Sequence, residues 1–215
     1  MVVAIDGPAS SGKSTVAKLL AEKLTERQKK EFTYINSGKL YRTITFGCLR
    51  DKIDLNDSRK VIEYAKKIKI SYQKNEVFLN RENITDRLHT DEIDRFSAPL
   101  SAIVPVRHII NKIIRSLSKG QNIVVEGRDM TSVVFPNTKY RFYLDATADA
   151  RAKRRYDQGV SVLTLQEIKT AILQRDEIDK NKVEGSLKIV KGVHYLDTSD
   201  LTIIQVYEKL IEGID

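Results

Sequence analysis

The feature that most constrains this chain of 215 residues is a glycine-rich loop close to its beginning. Residues 7–14 read Gly-Pro-Ala-Ser-Ser-Gly-Lys-Ser and match the pattern G-x-x-x-x-G-K-S/T. The apolar run Val2–Asp6 precedes the loop, and apolar residues at helical spacing follow it from about Lys13. A strand, a loop of this composition and a helix in this order predict a P-loop, which binds the phosphates of a nucleotide.

The residue types in this loop suit phosphate chemistry. The glycines let the backbone curl until successive N–H groups point at the β-phosphate, and the helix N-terminus adds the positive end of its dipole. Lys13 can bridge the β- and γ-phosphates, and the Ser14 hydroxyl is placed to ligate Mg²⁺. The motif alone does not separate kinases from GTPases, ATPases or sulfotransferases, and a glycine-rich turn without a ligand is the structural alternative. The predicted ATP-binding residues are Gly7, Pro8, Ala9, Ser10, Ser11, Gly12, Lys13, Ser14 and Thr15.

The rest of the chain alternates between strand and helix patterns. Further buried strands are predicted at 32–35, 123–125, 140–144 and 193–197, and a hairpin at 68–73 and 76–79. Helices are predicted at about 38–51, 57–69, 104–118, 148–158, 164–181 and 200–213. This alternation predicts an α/β fold in which a parallel sheet is covered by helices on both faces.

Composition narrows the classes of partner and the cellular location that we expect for this protein. Lys and Arg number 37 against 29 Asp and Glu, and the net charge of +8 suits polyanionic partners, either nucleic acid or phosphorylated small molecules. No apolar stretch is long enough for a membrane-spanning helix, and the N-terminal residues lack the regions of a signal peptide. The single cysteine, Cys48, lies in a helical pattern and is expected to be a packed thiol. We therefore expect a cytoplasmic protein without a membrane partner.

Arginines fall where a kinase for a small phosphorylated acceptor needs them. Such an enzyme must bring two anions together while water is excluded, and guanidinium groups grip phosphate oxygens in a bidentate way. Arg128 and Asp129 form the most informative pair, because they directly follow a buried strand, where open α/β sheets place their ligands. Arg154, Arg155 and Arg175 lie on helices, where a solvated surface position is the alternative. The remaining candidates are Arg42 and Arg107, each near the start of a helix, and Asp179, four residues after Arg175.

Sequence blocks along nearly the whole chain resemble one family. The blocks are IDGPASSGKST at 5–15, SGKLYR at 37–42, VFLNRENIT at 77–85, SAIVPVR at 101–107, VVEGRDMTSVVFP at 124–136, FYLDA at 142–146, RAKRR at 151–155 and QRDEIDKNK at 174–182. In this order they resemble the bacterial cytidylate kinases, which are P-loop nucleoside monophosphate kinases. The resemblance implies phosphorylation of CMP and dCMP by ATP, with Mg²⁺ brought in with ATP. No general base is implied, because an acceptor phosphate is already a competent nucleophile.

The resemblance also implies a division of the chain and a set of residue roles. A P-loop core would comprise about 1–36, 111–150 and 183–215, a monophosphate-binding insert about 37–110, and a short lid about 151–182. A monomer with small nucleotides as its partners is expected. The residues implied to bind the acceptor nucleotide are Ser37, Arg42, Arg107, Arg128, Asp129, Arg175 and Asp179. The residues implied to stabilise charge during transfer are Lys13, Arg128, Arg154, Arg155 and Arg175.

The chain departs from the family pattern at several positions. Ala98 stands where some members place a serine against the cytosine ring. Lys182 replaces a usual arginine, and a lysine does not make the same bidentate grip. Asn36, Lys39 and Arg81 also differ from the residues usual at their positions. These changes leave the reaction type unaltered, but they leave open a related kinase that acts on UMP or another small acceptor.

Two other classes of protein are alternatives to a small-molecule kinase. A P-loop switch or NTPase that acts on nucleic acid would use the basic excess, but the sequence has no helix-turn-helix, zinc-ligand or RNP-like motif. A structural protein with a vestigial nucleotide site is disfavoured by the intact Lys13, Ser14 and arginine set. We therefore expect no nucleic-acid partner.

Overall fold

The computed structural model describes residues 1–73, 76–159 and 161–214 of the chain. They form two compact units, one made of Met1–Tyr34 together with the chain from Gln121 onward, the other of Ile35–Gly120. In chain order the elements are β1 (Val2–Asp6), α1 (Lys13–Gln28), β2 (Phe32–Asn36), α2 (Ser37–Arg50), α3 (Ser58–Lys67), β3 (Ile70–Gln73), β4 (Glu76–Leu79), β5 (Glu82–Asn83), α4 (Asp91–Leu100), α5 (Val104–Leu117), β6 (Asn122–Gly127), β7 (Tyr140–Asp145), α6 (Ala148–Asp157), α7 (Leu165–Lys180), β8 (His194–Asp197) and α8 (Ile203–Glu212). A 3₁₀ turn covers Thr85–Arg87, and a π-helical turn covers Met130–Val134.

The main sheet has five strands in the order β2-β6-β1-β7-β8. Strand β1 lies in the middle and pairs in parallel with both β6 and β7, and β7 pairs in parallel with β8. At the carboxyl end of β1, Asp6 is opposite Gly127 of β6 and Tyr143 of β7. The predicted α/β fold with a parallel sheet flanked by helices is therefore confirmed, and the carboxyl ends of these strands share one edge.

Burial of apolar side chains explains why these segments fold as they do. The middle residues of β1 and β6 are fully buried, as expected for parallel strands flanked by helices. Helix α1 contributes Val16, Leu20 and Leu24, which recur at about every fourth position and belong to the same core cluster as Phe142. Burying a side chain of this size stabilises the fold by roughly 1.5–3 kcal/mol. Helix α8 adds Val206 and Leu210 to the same cluster.

The second unit combines helices α2 to α5 with a three-stranded antiparallel sheet in the order β3-β4-β5. Strands β3 and β4 pair in antiparallel fashion as the predicted hairpin, and residues 74–75 between them lie outside the described residues. The turn from β4 to β5 places Asn80 and Arg81 at φ values of 50° and 77°. Glycine adopts this left-handed conformation more readily than arginine, so Arg81 holds a backbone conformation that is unfavourable for its residue type.

The sequence patterns missed helix α4, strand β5 and the π-helical turn. Helix α4 carries three acidic residues in its first turn, which favour a helix N-terminus, but Pro99 near its end interrupts the helical pattern of the sequence. It forms because the Thr90 hydroxyl accepts from the Ile93 N–H and because Ile93, Ala98 and Leu100 are buried. The predicted lid at 151–182 includes Val160, which lies outside the described residues. Of the helices in the described residues, none has the length and apolar character needed to span a bilayer.

Core packing in the first unit is tested by a pair of leucine substitutions. Leu20 is fully buried on α1, whereas Leu173 on α7 is 46% exposed. We expect Leu20→Ala to lower the free energy of unfolding by about 2–5 kcal/mol, because it leaves a cavity, and Leu173→Ala to lower it by less than about 1 kcal/mol. Urea denaturation at equilibrium measures both. Equal losses in the two variants would contradict this assignment of the core.

Candidate active site

The loop that connects β1 to α1 is shaped by its glycines. Gly7 has a φ of +149°, and a Cβ placed there would lie 2.0 Å from the carbonyl oxygen of Leu144, so a glycine is required. Gly12 has a φ of +88° and directly precedes Lys13, the first residue of α1. The first N–H groups of α1 therefore border the loop, which is the arrangement in which helices bind phosphate.

Lys13 folds back over the loop that it follows. Its Nζ donates to the Pro8 carbonyl oxygen at 2.5 Å and lies 3.3 Å from Ser11 Oγ. Burial, together with the positive charge of Arg128, lowers the pKa of Lys13 to about 7. A buried ammonium group is stabilised by a nearby negative charge, so Lys13 is suited to bind a phosphate.

Glu126 is a site residue that the sequence analysis quoted in a block but did not assign. It lies near the end of β6, is 4% exposed, and accepts from the Ser14 hydroxyl at 2.7 Å. The Tyr34 hydroxyl lies 3.3 Å from the same carboxylate oxygen. The signal that could have found Glu126 is an acidic residue at the carboxyl end of a buried strand.

The Ser14 hydroxyl and the Glu126 carboxylate fit a magnesium ion that arrives with a nucleotide. Mg²⁺ keeps most of its ligands as water and phosphate oxygens, and takes one or two oxygen atoms from the protein. The described residues contain no group of three or more His, Cys, Asp or Glu side chains that could hold a metal by themselves. The site therefore suits a metal held jointly with nucleotide phosphates.

Asp179 on α7 is the centre of a buried cluster of charges. Its carboxylate accepts from Arg128 Nε at 2.8 Å and from Lys182 Nζ at 2.6 Å, and Arg175 Nε lies 3.8 Å away. Burial alone raises the pKa of Asp179, but the charges of these cations outweigh burial and hold the pKa well below its usual range. Asp129, which follows Arg128, is also buried. The structure thus brings together Arg128, Arg175 and Asp179, three of the residues predicted to bind the acceptor, along with Lys182.

A second buried ion pair connects α6 and α7 to the loop between β1 and α1, residues 7–12, which we call the phosphate loop. Arg151 donates to both carboxylate oxygens of Asp176, at 3.1 and 2.7 Å, and to the carbonyl oxygen of Ala146. One of its nitrogens also lies 3.3 Å from the carbonyl oxygen of Ala9 in the loop. Arg151 had no assigned role in the sequence analysis, because Asp176 and Ala9 lie 25 and 142 residues away along the chain.

The other two arginines of α6 differ from each other. Arg154 donates to the hydroxyl of Thr198 at 3.1 Å and to the carbonyl oxygens of Thr198 and Ser199. The Thr198 hydroxyl lies 3.1 Å from the carbonyl oxygen of Ser11, so Arg154 is linked to the phosphate loop. Arg155 instead donates to Gln158, just beyond the end of its own helix, at 3.4 Å.

The remaining predicted residues lie in the second unit. Ser37 is the buried first residue of α2, and the preceding Asn36 caps this helix by accepting from the Lys39 N–H at 3.2 Å. Arg42 donates through two nitrogens to one carboxylate oxygen of Asp94, at 2.9 and 2.7 Å. Arg107 is 2% exposed and donates to the Ser101 carbonyl oxygen at 2.8 Å.

Comparison with known proteins places the chain beside one protein family. The family model described as cytidylate kinase matches residues 3–215. The cytidylate kinase of Borrelia duttonii is 40% identical over 99% of this chain and 97% of its own length. That of Caldanaerobacter subterraneus is 38% identical over 99% of this chain and 93% of its own length, and that of Clostridioides difficile is 34% identical over 100% and 98%.

The chain belongs to the cytidylate kinase family. The predicted family is confirmed, and with it a nucleoside monophosphate kinase that uses ATP as the phosphoryl donor and nucleotides as substrates. The alternative enzyme, a related P-loop kinase with UMP or another acceptor, is not favoured by these matches. The roles of single residues remain predictions.

The charge cluster of this family member can be tested through Asp179. We expect Asp179→Asn to destabilise the fold by about 3–5 kcal/mol at neutral pH, because the cations of Arg128 and Lys182 stay buried without their counter-charge. The folded-state pKa of Asp179 lies below its unfolded value near 3.8, so its stabilisation is present above about pH 4 and is lost on further acidification. Urea denaturation at a series of pH values between about 3 and about 7 measures both effects.

The control for this experiment is an exposed ion pair. Asp157 pairs with Lys153, and both side chains are more than half exposed. Asp157→Asn should cost less than about 1 kcal/mol, because water and salt screen the pair. A loss at Asp179→Asn no larger than the loss at Asp157→Asn would contradict a buried cluster.

Proposed function

We propose that this member of the cytidylate kinase family transfers the γ-phosphoryl group of ATP to CMP and dCMP, which yields CDP and dCDP. Beyond family membership, one observation carries the proposal. Strands β1 and β6 are parallel neighbours, and Asp6 is opposite Gly127 at their carboxyl ends. The phosphate loop and the pair Arg128 and Asp129 therefore leave the same edge of the sheet, where α/β proteins bind ligands. A phosphate site beside a cationic, hydrogen-bonding pair suits transfer between two nucleotides.

On the donor side, the backbone of the phosphate loop and Lys13 act on ATP. The N–H groups at the start of α1 bind the β-phosphate, and Lys13 exchanges its contact with the Pro8 carbonyl oxygen for the β- and γ-phosphates. Its ammonium then follows the negative charge that develops during transfer. Burial lowers the pKa of Lys13 to about 7, and a phosphate beside the buried ammonium would raise this pKa again, because negative charge favours the protonated form.

On the acceptor side, arginines bind the phosphate and carboxylates bind the nucleoside. Arg42 and Arg107 grip the acceptor phosphate, a stronger acceptor than the single carboxylate oxygen and the carbonyl oxygen that they contact now. Arg128 completes this set, and Asp129, Asp179 and Ser37 bind the cytidine portion. The remaining arginines that stabilise charge over the phosphates are Arg154, Arg155 and Arg175.

Magnesium is proposed as the accompanying ion. The Ser14 hydroxyl would ligate it, and the Glu126 carboxylate, 2.7 Å from that hydroxyl, would orient Ser14 and accept from water on the ion. When bound, the ion neutralises charge on the β- and γ-phosphates. The chain's own part is to hold the Ser14 oxygen in place and to keep the phosphate loop in its bound shape.

The organisation of the chain is part of the same proposal. We infer a core of about 1–36, 111–150 and 183–215, a monophosphate-binding insert of about 37–110 and a lid of about 151–182. The protein is proposed to be a cytoplasmic monomer whose partners are nucleotides rather than nucleic acid or membrane.

The substrate is tested by an ADP-release assay with ATP and Mg²⁺. CMP, dCMP, UMP, AMP and GMP are offered separately as acceptors. We expect fast turnover with CMP and dCMP, weak turnover with UMP and none with the purine nucleotides. UMP is the informative competitor, because Ala98 offers no side-chain hydroxyl to the base. Turnover that depends on no acceptor, or that is fastest with a purine nucleotide, would overturn the proposal.

The roles of the two cations on Asp179 are separated by single substitutions. Arg128 is partly exposed, whereas the Lys182 side chain is only 2% exposed and contacts Asp179 in the protein interior. We expect Arg128→Ala to lower kcat/KM for CMP by about 100-fold or more, because a donor to the transferring phosphates is lost. Lys182→Ala should act mainly on stability. Steady-state kinetics and thermal melting of both variants measure this, and comparable losses of activity would show the site map to be wrong.

A further inference from the structure

Asp6 is a buried carboxylate for which the proposed reaction has no use. It is the last residue of β1, and its side chain has no exposed surface. One oxygen accepts from the Met130 N–H at 2.9 Å, and the other accepts from the Thr131 N–H at 2.7 Å and the Thr131 hydroxyl at 2.6 Å. All three donors belong to the start of the π-helical turn Met130–Val134.

Through these bonds, Asp6 of β1 caps the π-helical turn that follows β6. The first N–H groups of a helical turn have no partner within the turn, and a carboxylate that accepts from them stabilises the turn. The residue before the turn is Asp129, whose carbonyl oxygen accepts from the N–H groups of Val133 and Val134 at 2.9 and 3.1 Å. The backbone of Asp129 is therefore fixed by the turn that it opens, and Asp6 fixes that turn.

Asp6 also directly precedes the phosphate loop. The next residue, Gly7, has no room for a side chain, because its Cβ would meet the Leu144 carbonyl oxygen. Asp6 is thus joined to the loop by the chain on one side and to the segment after Arg128 by three hydrogen bonds on the other. Among the described residues, this carboxylate connects the two functional segments by direct bonds rather than by packing alone.

Stability alone does not explain a carboxylate at this position. Burial, partly offset by the bonds from Thr131, raises the pKa of Asp6 to about 6, so holding the charge there is unfavourable. The charged and titratable groups that face it are Asp129, which disfavours its charge, and Lys13 and Tyr143. An apolar residue would avoid this cost but could not accept from the turn.

We propose that Asp6 is a positioning residue, which holds Arg128 and Asp129 in register with the phosphate loop through its bonds to Met130 and Thr131. This inference rests on the proposed function, because it takes Arg128 and Asp129 to bind the acceptor nucleotide. It predicts that weakening the bond between Asp6 and Thr131 lowers kcat/KM for the acceptor far more than it weakens ATP binding. The reason is that the glycines of the phosphate loop keep the loop in its own conformation.

The test compares variants of Thr131, which is buried and is not among the proposed substrate contacts. Thr131→Val removes the hydroxyl but keeps the size of the side chain, and Thr131→Ser keeps the hydroxyl. Thr138→Val is the matched control, because the Thr138 hydroxyl donates to Val2 at the opposite end of β1. Each full-length variant is characterised by thermal melting, by its Kd for ATP in calorimetry, and by kcat and KM for CMP.

We expect Thr131→Val to lower kcat/KM for CMP by about tenfold or more, because a misplaced binding group loses its interaction in the transition state. Its Kd for ATP should stay within about twofold of the Kd of the parent chain, because the substitution removes a single hydrogen bond that does not involve the amides of the phosphate loop. Thr131→Ser should restore CMP kinetics, and Thr138→Val should leave them unchanged even if it melts earlier. If Thr131→Val does not fold, the same measurements are made on Thr131→Ala instead.

The outcomes separate the inference from the proposed function. If the parent chain turns over CMP but Thr131→Val behaves like Thr138→Val, Asp6 has only a structural role and the inference is overturned. Equal losses for ATP and CMP would also overturn it, because they would show a general disturbance of the edge of the sheet. A parent chain that is inactive with CMP would instead overturn the proposed function, and the positioning role would fall with it.

Discussion

The parallel pairing of β1 with β6 fixes where the phosphate loop and the segment that carries Arg128 lie. Because the two strands run in the same direction and end side by side, the loop after one and the Arg128 segment after the other leave the sheet together. Glu126 and Asp6, near the ends of these strands, then reach Ser14 and Thr131 respectively. A shift of this pairing by one residue would turn the side chains of one strand to the opposite face of the sheet relative to the other strand and break these contacts.

Buried charge is the main energetic cost of this edge, and two groups of these charges are ion pairs. Arg151 with Asp176, and Arg128 with Lys182 around Asp179, form compact pairs in which hydrogen bonds offset the loss of water. Apolar residues of the same size would stabilise such positions at least as well. The retention of charge is therefore best explained by phosphate chemistry, in which a low-dielectric surrounding strengthens the attraction between guanidinium groups and phosphate oxygens.

Sequence reasoning worked where the information is contiguous. The phosphate loop was predicted in full because its glycines, Lys13 and Ser14 occur in one short segment with a fixed spacing. Most strands and helices were predicted within a few residues because apolar periodicity is a local property. Helix α4 was missed for the converse reason, since Pro99 interrupts its local pattern and the burial of its apolar residues depends on tertiary packing. Arg154 was predicted as a residue of the phosphate site, but its bonds to Thr198 and Ser199 were not.

The sequence by itself determined the conformation of the phosphate loop, the order of strands and helices, and membership of the cytidylate kinase family. It also supplied the chemical types of the site, namely one lysine, several arginines and a few carboxylates. Only the tertiary structure decided which of these meet. Ser14 and Glu126 lie 112 residues apart in the chain, Asp6 and Thr131 lie 125 apart, and Arg128 and Asp179 lie 51 apart. Such contacts depend on strand order and register, which are set by the packing of the whole sheet, whereas periodicity within a segment reports only its own buried face.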